Sequence, residues 1–341
     1  MKARALVLAA MLGSSLAHAH DVSFDVGLSS VKPTDQNPRS GSATANLSGA
    51  YDFNEDWSAW LGATYTRDFA TKTTDTSSPG SNIFLFNAGA MWLVSDHVSL
   101  LAGGTFSPKT TQLSATTVTD PSAPTRIDAV VRSDNASWGV NAAMTWGSNG
   151  LSAFESTVDA SVALTSFSVF QQAELGTSVR AGLLRNACRL SASPGCALVN
   201  GSSQSLAQVR LTAGYTATIR AFDAGIDVSW FLYDRDPNQV GYFSLLELGR
   251  DLGNGVPVAP FLFTLRPAFT YRVSKLTFKL SYQLGVYTGS TGSNQLVSLK
   301  TTFAVSRSVR LALTLSGQAD REGGVLVNTG GTAMLGVVFV F

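Results

Sequence analysis

Catalysis needs an acid, a base or a nucleophile held within reach of a partner, and this sequence is sparing with all three. Its histidines are His18, His20 and His97, so a Ser-His or Asp-His centre has few imidazoles to draw on. Glu155 and Asp159 stand four residues apart, which on a strand places both carboxylates on one face. That is the raw material of a glycosidase pair, but the lining of a water-filled channel accounts for it more simply. The glycine doublets Gly323-Gly324 and Gly330-Gly331 do not form a phosphate-binding loop. Cys188 and Cys196 are the only cysteines, eight residues apart with no histidine nearby. A metal would need more ligands, whereas an exported chain meets an oxidising compartment, so a loop-closing disulfide is expected. No enzyme activity, metal or cofactor is expected.

Export is itself written at the start of the chain. Lys2 and Arg4 precede the apolar stretch from Ala5 to Leu12, and Ala17-His18-Ala19 has the small-x-small form of a cleavage site. We therefore expect a signal peptide over 1–19 and a single domain over 20–341. Net charge is +1, charged residues are only 14% and mean hydropathy is +0.14. This balance gives no reason to expect a nucleic-acid partner. Beyond the signal no run of 18 apolar residues could cross a membrane as a helix, so the apolarity must be distributed by alternation.

It alternates with a period of two. Leu276, Phe278, Leu280, Tyr282, Leu284 and Val286 are interleaved with Thr277, Lys279, Ser281, Gln283 and Gly285, which gives a strand one apolar and one polar face. The same pattern runs through 222–232 and 136–146. Strands are predicted near 22–31, 41–53, 56–68, 82–94, 97–108, 134–146, 151–168, 204–218, 220–233, 257–272, 275–288, 295–305, 308–319 and 328–341. The links after the even-numbered strands are tight, as at Asn54-Glu55, Ser95-Asp96 and Val273-Ser274. Those after the odd-numbered strands are mostly longer, notably 109–133, 169–203 and 234–256. A soluble sandwich has no reason to sort its connections in this way. The fold class that follows is all-β: an antiparallel, up-and-down transmembrane β-barrel of about 14 strands with short periplasmic turns and longer extracellular loops. Both 171–189 and 242–252 have residues at helical spacing that suit a constriction or a lid. His20 and His97 then fall at the periplasmic end, away from the outer rim.

Lipid requires the barrel to close, so the last strand should pair with the first. The chain ends Leu335-Gly-Val-Val-Phe-Val-Phe341, and here it resembles bacterial outer-membrane barrel proteins, whose final strand ends in Phe and carries an alternating aromatic signal. Gly336, Phe339 and Phe341 match that pattern, and Met334 departs from it at a position where a polar residue is common. The resemblance implies residence in the outer membrane of a Gram-negative bacterium, contact with its lipid and lipopolysaccharide, and delivery by the outer-membrane assembly machinery. Tyr51, Phe53, Trp57, Trp92 and Trp146 fall on the outward parity near the periplasmic turns. Trp138, Trp230, Phe84 and Phe86 do so near the other rim, as two interfacial girdles would. Trp60 falls on the inward parity, which the register leaves unexplained.

The inward parity also carries Asp25, Asp52, Asp68, Glu155 and Asp159, followed by Arg210, Asp223, Asp227, Arg266, Arg272, Lys279, Lys300 and Arg310. Acidic groups early and basic groups late would set a transverse field across a hydrated pore. Alternatively, neighbours such as Asp223 or Asp227 with Arg266 satisfy one another in the wall. We expect a porin-like channel for passive diffusion of small hydrophilic solutes, lined by Asp68, Glu155, Asp159, Arg210, Asp223, Asp227, Arg266, Lys279, Lys300 and Arg310. Two alternatives stand beside it. One is a transporter of hydrophobic molecules, suggested by inward Ile83, Leu85, Met91 and Leu93. The fourteen-stranded fatty-acid and aromatic hydrocarbon transporters resemble the chain in strand number, although their N-terminal hatch has no counterpart before Val22. The other is a non-conducting structural or adhesive barrel.

Overall fold

In a computed structural model the described residues are 21–33, 40–69, 71–72, 77–78, 80–119, 126–148, 154–189, 194–237, 261–288 and 292–341. The signal segment and the 242–252 stretch lie outside them. The alternating segments form β1 (Asp21–Pro33), β2 (Ser40–Asp52), β3 (Trp57–Asp68), β4 (Asn82–Ser95), β5 (Val98–Thr119), β6 (Arg126–Ser148) and β7 (Phe154–Leu175). Two helices follow, α1 (Val179–Arg189) and α2 (Pro194–Asn200). The chain then continues through β8 (Ser202–Ile219), β9 (Phe222–Tyr233), β10 (Phe261–Val273), β11 (Leu276–Tyr287), β12 (Ser293–Ala304), β13 (Val309–Glu322) and β14 (Val325–Val340). Each strand pairs antiparallel with its neighbours in sequence, and β14 returns to β1 from Asp21↔Val340 to Pro33↔Asn328. That last ladder closes the barrel, so neither terminal strand presents an open edge to lipid. A two-residue ladder, Thr71–Lys72 with Ser77–Ser78, is added in the β3–β4 connection.

The side chains sort by parity as lipid requires. Phe24, Leu28, Phe84, Trp138, Val140, Leu211, Ile226, Leu280, Leu313 and Leu335 are exposed on the outer face. Trp57 and Trp92 are cross-strand partners stacked with centroids 5.5 Å apart at the periplasmic side, where Phe222 and Tyr271 also stack at 4.5 Å. Tyr65 and Phe84 meet at 5.0 Å nearer the outer rim. Periplasmic turns are tight: Asn54 Oδ1 accepts the backbone N–H groups of Asp56 and Trp57 at 2.9 and 2.8 Å, an Asx turn that aims Trp57 into β3. The outer β13–β14 turn uses Gly323 and Gly324, both at positive φ, as a two-residue hairpin of this twist requires.

Trp60 now has its reason. Its ring lies against Gly89 of β4, where a Cβ would come within 2.1 Å of it, and reaches Gly103 of β5, where one would come within 3.1 Å. Two glycines clear space for one large inward ring.

The connection expected over 109–133 is instead mostly strand. The β5–β6 ladder continues from Thr110↔Asn135 to Thr119↔Arg126, and β7 follows β6 up to Ala129↔Leu175. Beyond the bilayer both faces of a strand meet water, so the apolar alternation fades while Thr-rich sequence keeps its β-propensity. That is why Lys109–Thr119 reads as loop. The 169–203 connection is likewise strand to Leu175, followed by the two helices. The helices are joined by the disulfide Cys188–Cys196. Ala181, Leu184, Cys188, Cys196 and Val199 form one small core, and Leu198 packs with Ala129, Val131 and Ala173. The last three share the inward parity, so α2 sits on the inner side of the raised β6–β7 wall, over the mouth. Arg185 donates from Nη2 to the carbonyls of Leu175 and Gly176 at 3.1 and 2.7 Å.

A charge near the middle of the apolar band should be costly. Leu313→Arg is expected to lower the stability of the refolded barrel by about 2–4 kcal/mol, measured by urea unfolding in lipid vesicles. Closing the Cys188–Cys196 loop is worth about 2.5 kcal/mol in the chain-entropy description. The Cys188→Ser/Cys196→Ser variant should therefore be cut between β7 and β8 by added protease while the barrel keeps its heat-modifiable gel mobility.

Candidate functional site

All ten residues expected to line the path occupy the inward parity of their strands. Asp68 stands at the outer end of β3, its carboxylate accepting the Ser81 hydroxyl. Asp159 is opposite Gly214, Gly214 opposite Asp227, and Asp227 opposite Arg266, a row across β7 to β10. The absent Gly214 side chain leaves room for the Asp159 carboxylate, whose Oδ1 is 2.3 Å from where a Cβ would be. Glu155 is opposite Thr218, and Arg310 lies at the periplasmic end of β13 opposite Ala304 and Val338. Lys279 and Lys300 are direct cross-strand partners on β11 and β12.

The expected pairing of Asp223 or Asp227 with Arg266 does not occur. Arg272 reaches Asp223 as a two-pronged pair, Nη1 donating to Oδ1 at 2.9 Å and Nη2 to Oδ2. Asp223 is opposite Thr270, so Arg272 is its diagonal neighbour and within reach of a long side chain. Arg266 instead donates from Nε and Nη2 to Gln283 Oε1 at 3.2 and 2.6 Å. Among the described residues Arg210, Arg266, Lys279 and Lys300 form no ion pair with a carboxylate. The charges also do not face one another across the bore in the expected manner. Glu155 and Asp159 lie on β7 beside the basic strands, so most of the charge occupies one continuous arc from β7 to β12. The opposite arc carries Trp60, Ile83, Leu85, Met91 and Leu93 on β3 and β4.

Above the charged row lies an aromatic shelf that sequence reasoning missed. A β-bulge shifts the β10–β11 register between Phe261 and Phe263. Leu262 is thereby sent outward, where it is 50% exposed, and Phe261 turns inward. A bulge re-aims a side chain in this way. The unbroken apolar run Phe261-Leu262-Phe263, without alternation, is the one sequence signal for it. Phe261 stacks on Tyr287 with centroids 4.9 Å apart and planes at 9°, and meets Phe231 at 6.0 Å. It covers Gly285, where a Cβ would fall 2.4 Å from its ring. The shelf is buttressed: Tyr233 donates its hydroxyl to the Phe261 carbonyl at 2.9 Å and accepts from Gln208 Nε2 at 3.0 Å. The Tyr287 hydroxyl donates to Asp320 Oδ1 at 3.1 Å. Just past β9, Asp234 Oδ1 accepts the Ala207 N–H at 2.9 Å. That bond, with Arg235 alongside, holds the Asp234 carboxyl below the usual carboxylate range. Beneath the shelf a cavity of about 360 Å³ opens into the lumen, bounded by Arg210, Asp227, Phe231, Phe261, Arg266 and Gln283 among others.

Among the described residues the seam between β4 and β5 is interrupted: their ladder ends at Phe86↔Phe106, and β5 next meets, at Ala115, Ser77 of the short ladder in the β3–β4 connection. In between, β5 shifts register against β6 between Ser107 and Thr110, across Pro108, which has no N–H to give to a ladder. Ile83, Ser107, Thr110 and Asn135 are buried behind this seam, and both polar side-chain atoms of Asn135 lack a protein partner there. Among the described residues no three His, Cys, Asp or Glu side chains converge as metal ligands would.

A closed fourteen-stranded barrel with a lipid-facing apolar band and two aromatic girdles is an integral protein of the bacterial outer membrane. No family model matches the sequence, and no curated protein matches it. Solved structures do share the fold. A FadL homologue of Pseudomonas aeruginosa superposes with a TM-score of 0.60 at 14% identity, over 95% of this chain and 90% of that one. The monoaromatic hydrocarbon channel CymD gives 0.60 at 11% over 95% and 89%. The toluene transporter TbuX of Ralstonia pickettii gives 0.59 at 10% over 95% and 90%.

Because Phe261 occupies the space above Gly285, Gly285→Ala should displace the shelf and destabilise the barrel by about 1–3 kcal/mol. Combined with Phe261→Ala the two losses should fall short of additivity by at least ~0.5 kcal/mol, read by urea unfolding of the four members of the cycle.

Proposed function

We propose that this barrel is a passive outer-membrane channel for small, largely apolar molecules, with single-ring aromatics as the class that fits best. The observation that carries this reading is the division of the lumen: the apolar arc of Trp60, Leu85, Met91 and Leu93 faces an arc that bears both charge and an aromatic shelf. An apolar solute can slide along the first arc without stripping water from charged groups. A general pore for sugars and ions gains nothing from such a wall. The fold neighbours described as hydrocarbon channels support the same reading over the hydrophilic porin, since their fold covers nearly the whole chain. Passive diffusion needs no coupled energy source, and none of the lumen residues is assigned a reacting role. The outward Phe339 on the closing strand supports reading Gly336, Phe339 and Phe341 as the signal for the assembly machinery.

The test is made in intact cells whose lipopolysaccharide layer slows hydrocarbons and whose own channels have been deleted. Expression of this protein should accelerate accumulation of radiolabelled toluene several-fold. Reconstituted vesicles should swell in sugar solutions no faster than empty ones. Fast swelling in graded sugars, with toluene accumulation unchanged, would return the protein to the hydrophilic porins.

A further inference from the structure

Two guanidiniums, Arg210 and Arg266, border one cavity of the lumen wall, and neither is paired with a carboxylate among the described residues. The nearest ion pair is spent elsewhere, with Asp223 held by Arg272. Asp227 also borders the cavity, with the Asp159 carboxylate beside it over Gly214, so the two carboxylates lie on one side of the cavity and the guanidinium donors are left open on the other. Arg266 is held in place by Gln283, which takes the Nε and Nη2 donors and leaves Nη1 for another acceptor. The roof of the same cavity is the edge of the Phe231–Phe261–Tyr287 stack.

We infer that this cavity is a binding subsite for aromatic monocarboxylates of about the size of benzoate, with the carboxylate on Arg210 and Arg266 and the ring against Phe231 and Phe261. A guanidinium fork matches a planar carboxylate and forms charge-assisted bonds with it. A phenyl ring gains edge-to-face contact from a fixed aromatic shelf. At about 360 Å³ the space lies within the usual range for a small-molecule site. A dianion would be opposed by Asp227 and by Asp159 beside it, which favours a single negative charge held on the guanidinium side. The inference rests on reading the lumen as the path of single-ring molecules and adds that the path distinguishes aromatic acids from hydrocarbons by holding them.

Equilibrium binding to the detergent-solubilised barrel tests this without any transport step. Benzoate, acetate and benzyl alcohol are titrated by calorimetry, with folding of each variant confirmed by heat-modifiable gel mobility. Benzoate should bind at least tenfold more tightly than acetate, which lacks the ring, and than benzyl alcohol, which lacks the charge. Arg210→Gln/Arg266→Gln should weaken benzoate at least tenfold, whereas Lys279→Gln/Lys300→Gln, which removes the same charge from the lumen outside the cavity, should keep its affinity within twofold. Equal weakening by both double variants, or acetate binding as well as benzoate, would overturn the subsite and leave only a diffuse cationic lumen. Failure of toluene to enter cells faster would overturn the channel reading and leave a benzoate titration standing, so the two can fail separately.

Discussion

The requirement that every backbone N–H and C=O find a partner where no water is available governs this molecule. In lipid an unpaired group costs several kcal/mol, and a sheet meets that demand only by closing on itself. Alternation, tight turns on one side and the β1–β14 seam all follow from it. So does the exclusion of charge from one face of each strand, which concentrates polar chemistry on the other. The lumen is therefore the only place in the membrane where Arg210, Asp227 and Arg266 can be ionised, and their proximity is a consequence of the fold before it is a feature of any ligand.

Much of this was legible without coordinates, because a period of two is imposed residue by residue. All fourteen strands were readable, with boundaries mostly within a few residues, and the parity of Asp159, Arg266 or Lys279 followed at once. What escaped the sequence has physical causes. Lys109–Thr119 looks like a loop because a strand standing in water has no apolar face to display. The inward turn of Phe261 is hidden from the alternation because a single inserted residue reverses every parity beyond it. Trp60 made no sense in one strand, since the glycines that accommodate it belong to two others. The choice of Arg272 over Arg266 by Asp223 depends on a diagonal contact that pairing rules leave open.

The interior is better described by its two arcs than by its strand number. A ring of evenly mixed charge would order water across the whole bore. Here most of the charges are gathered on β7 to β12, and the facing wall of β3 and β4 carries only Asp68 on its inward parity, at the outer end of β3. A solute with an apolar body and a polar end would find both kinds of surface within one diameter. The Phe261 bulge places aromatic rings directly above the arginines, joining the two characters within a single wall.

The interrupted β4–β5 seam bears on the mechanics of the closed sheet. A hydrogen-bonded cylinder resists expansion as a hoop does: the tension is the same in every seam, so the hoop yields where bonds are fewest along its height. With Pro108 unable to contribute a bond and no β4–β5 ladder pair beyond Phe86↔Phe106 among the described residues, the outer part of this seam gives the hoop less strength than its periplasmic part. Radial strain on the described wall is therefore taken up more readily along the outer β4–β5 seam, beside Ile83, than along the continuous ladders from β7 to β9 that carry much of the charge.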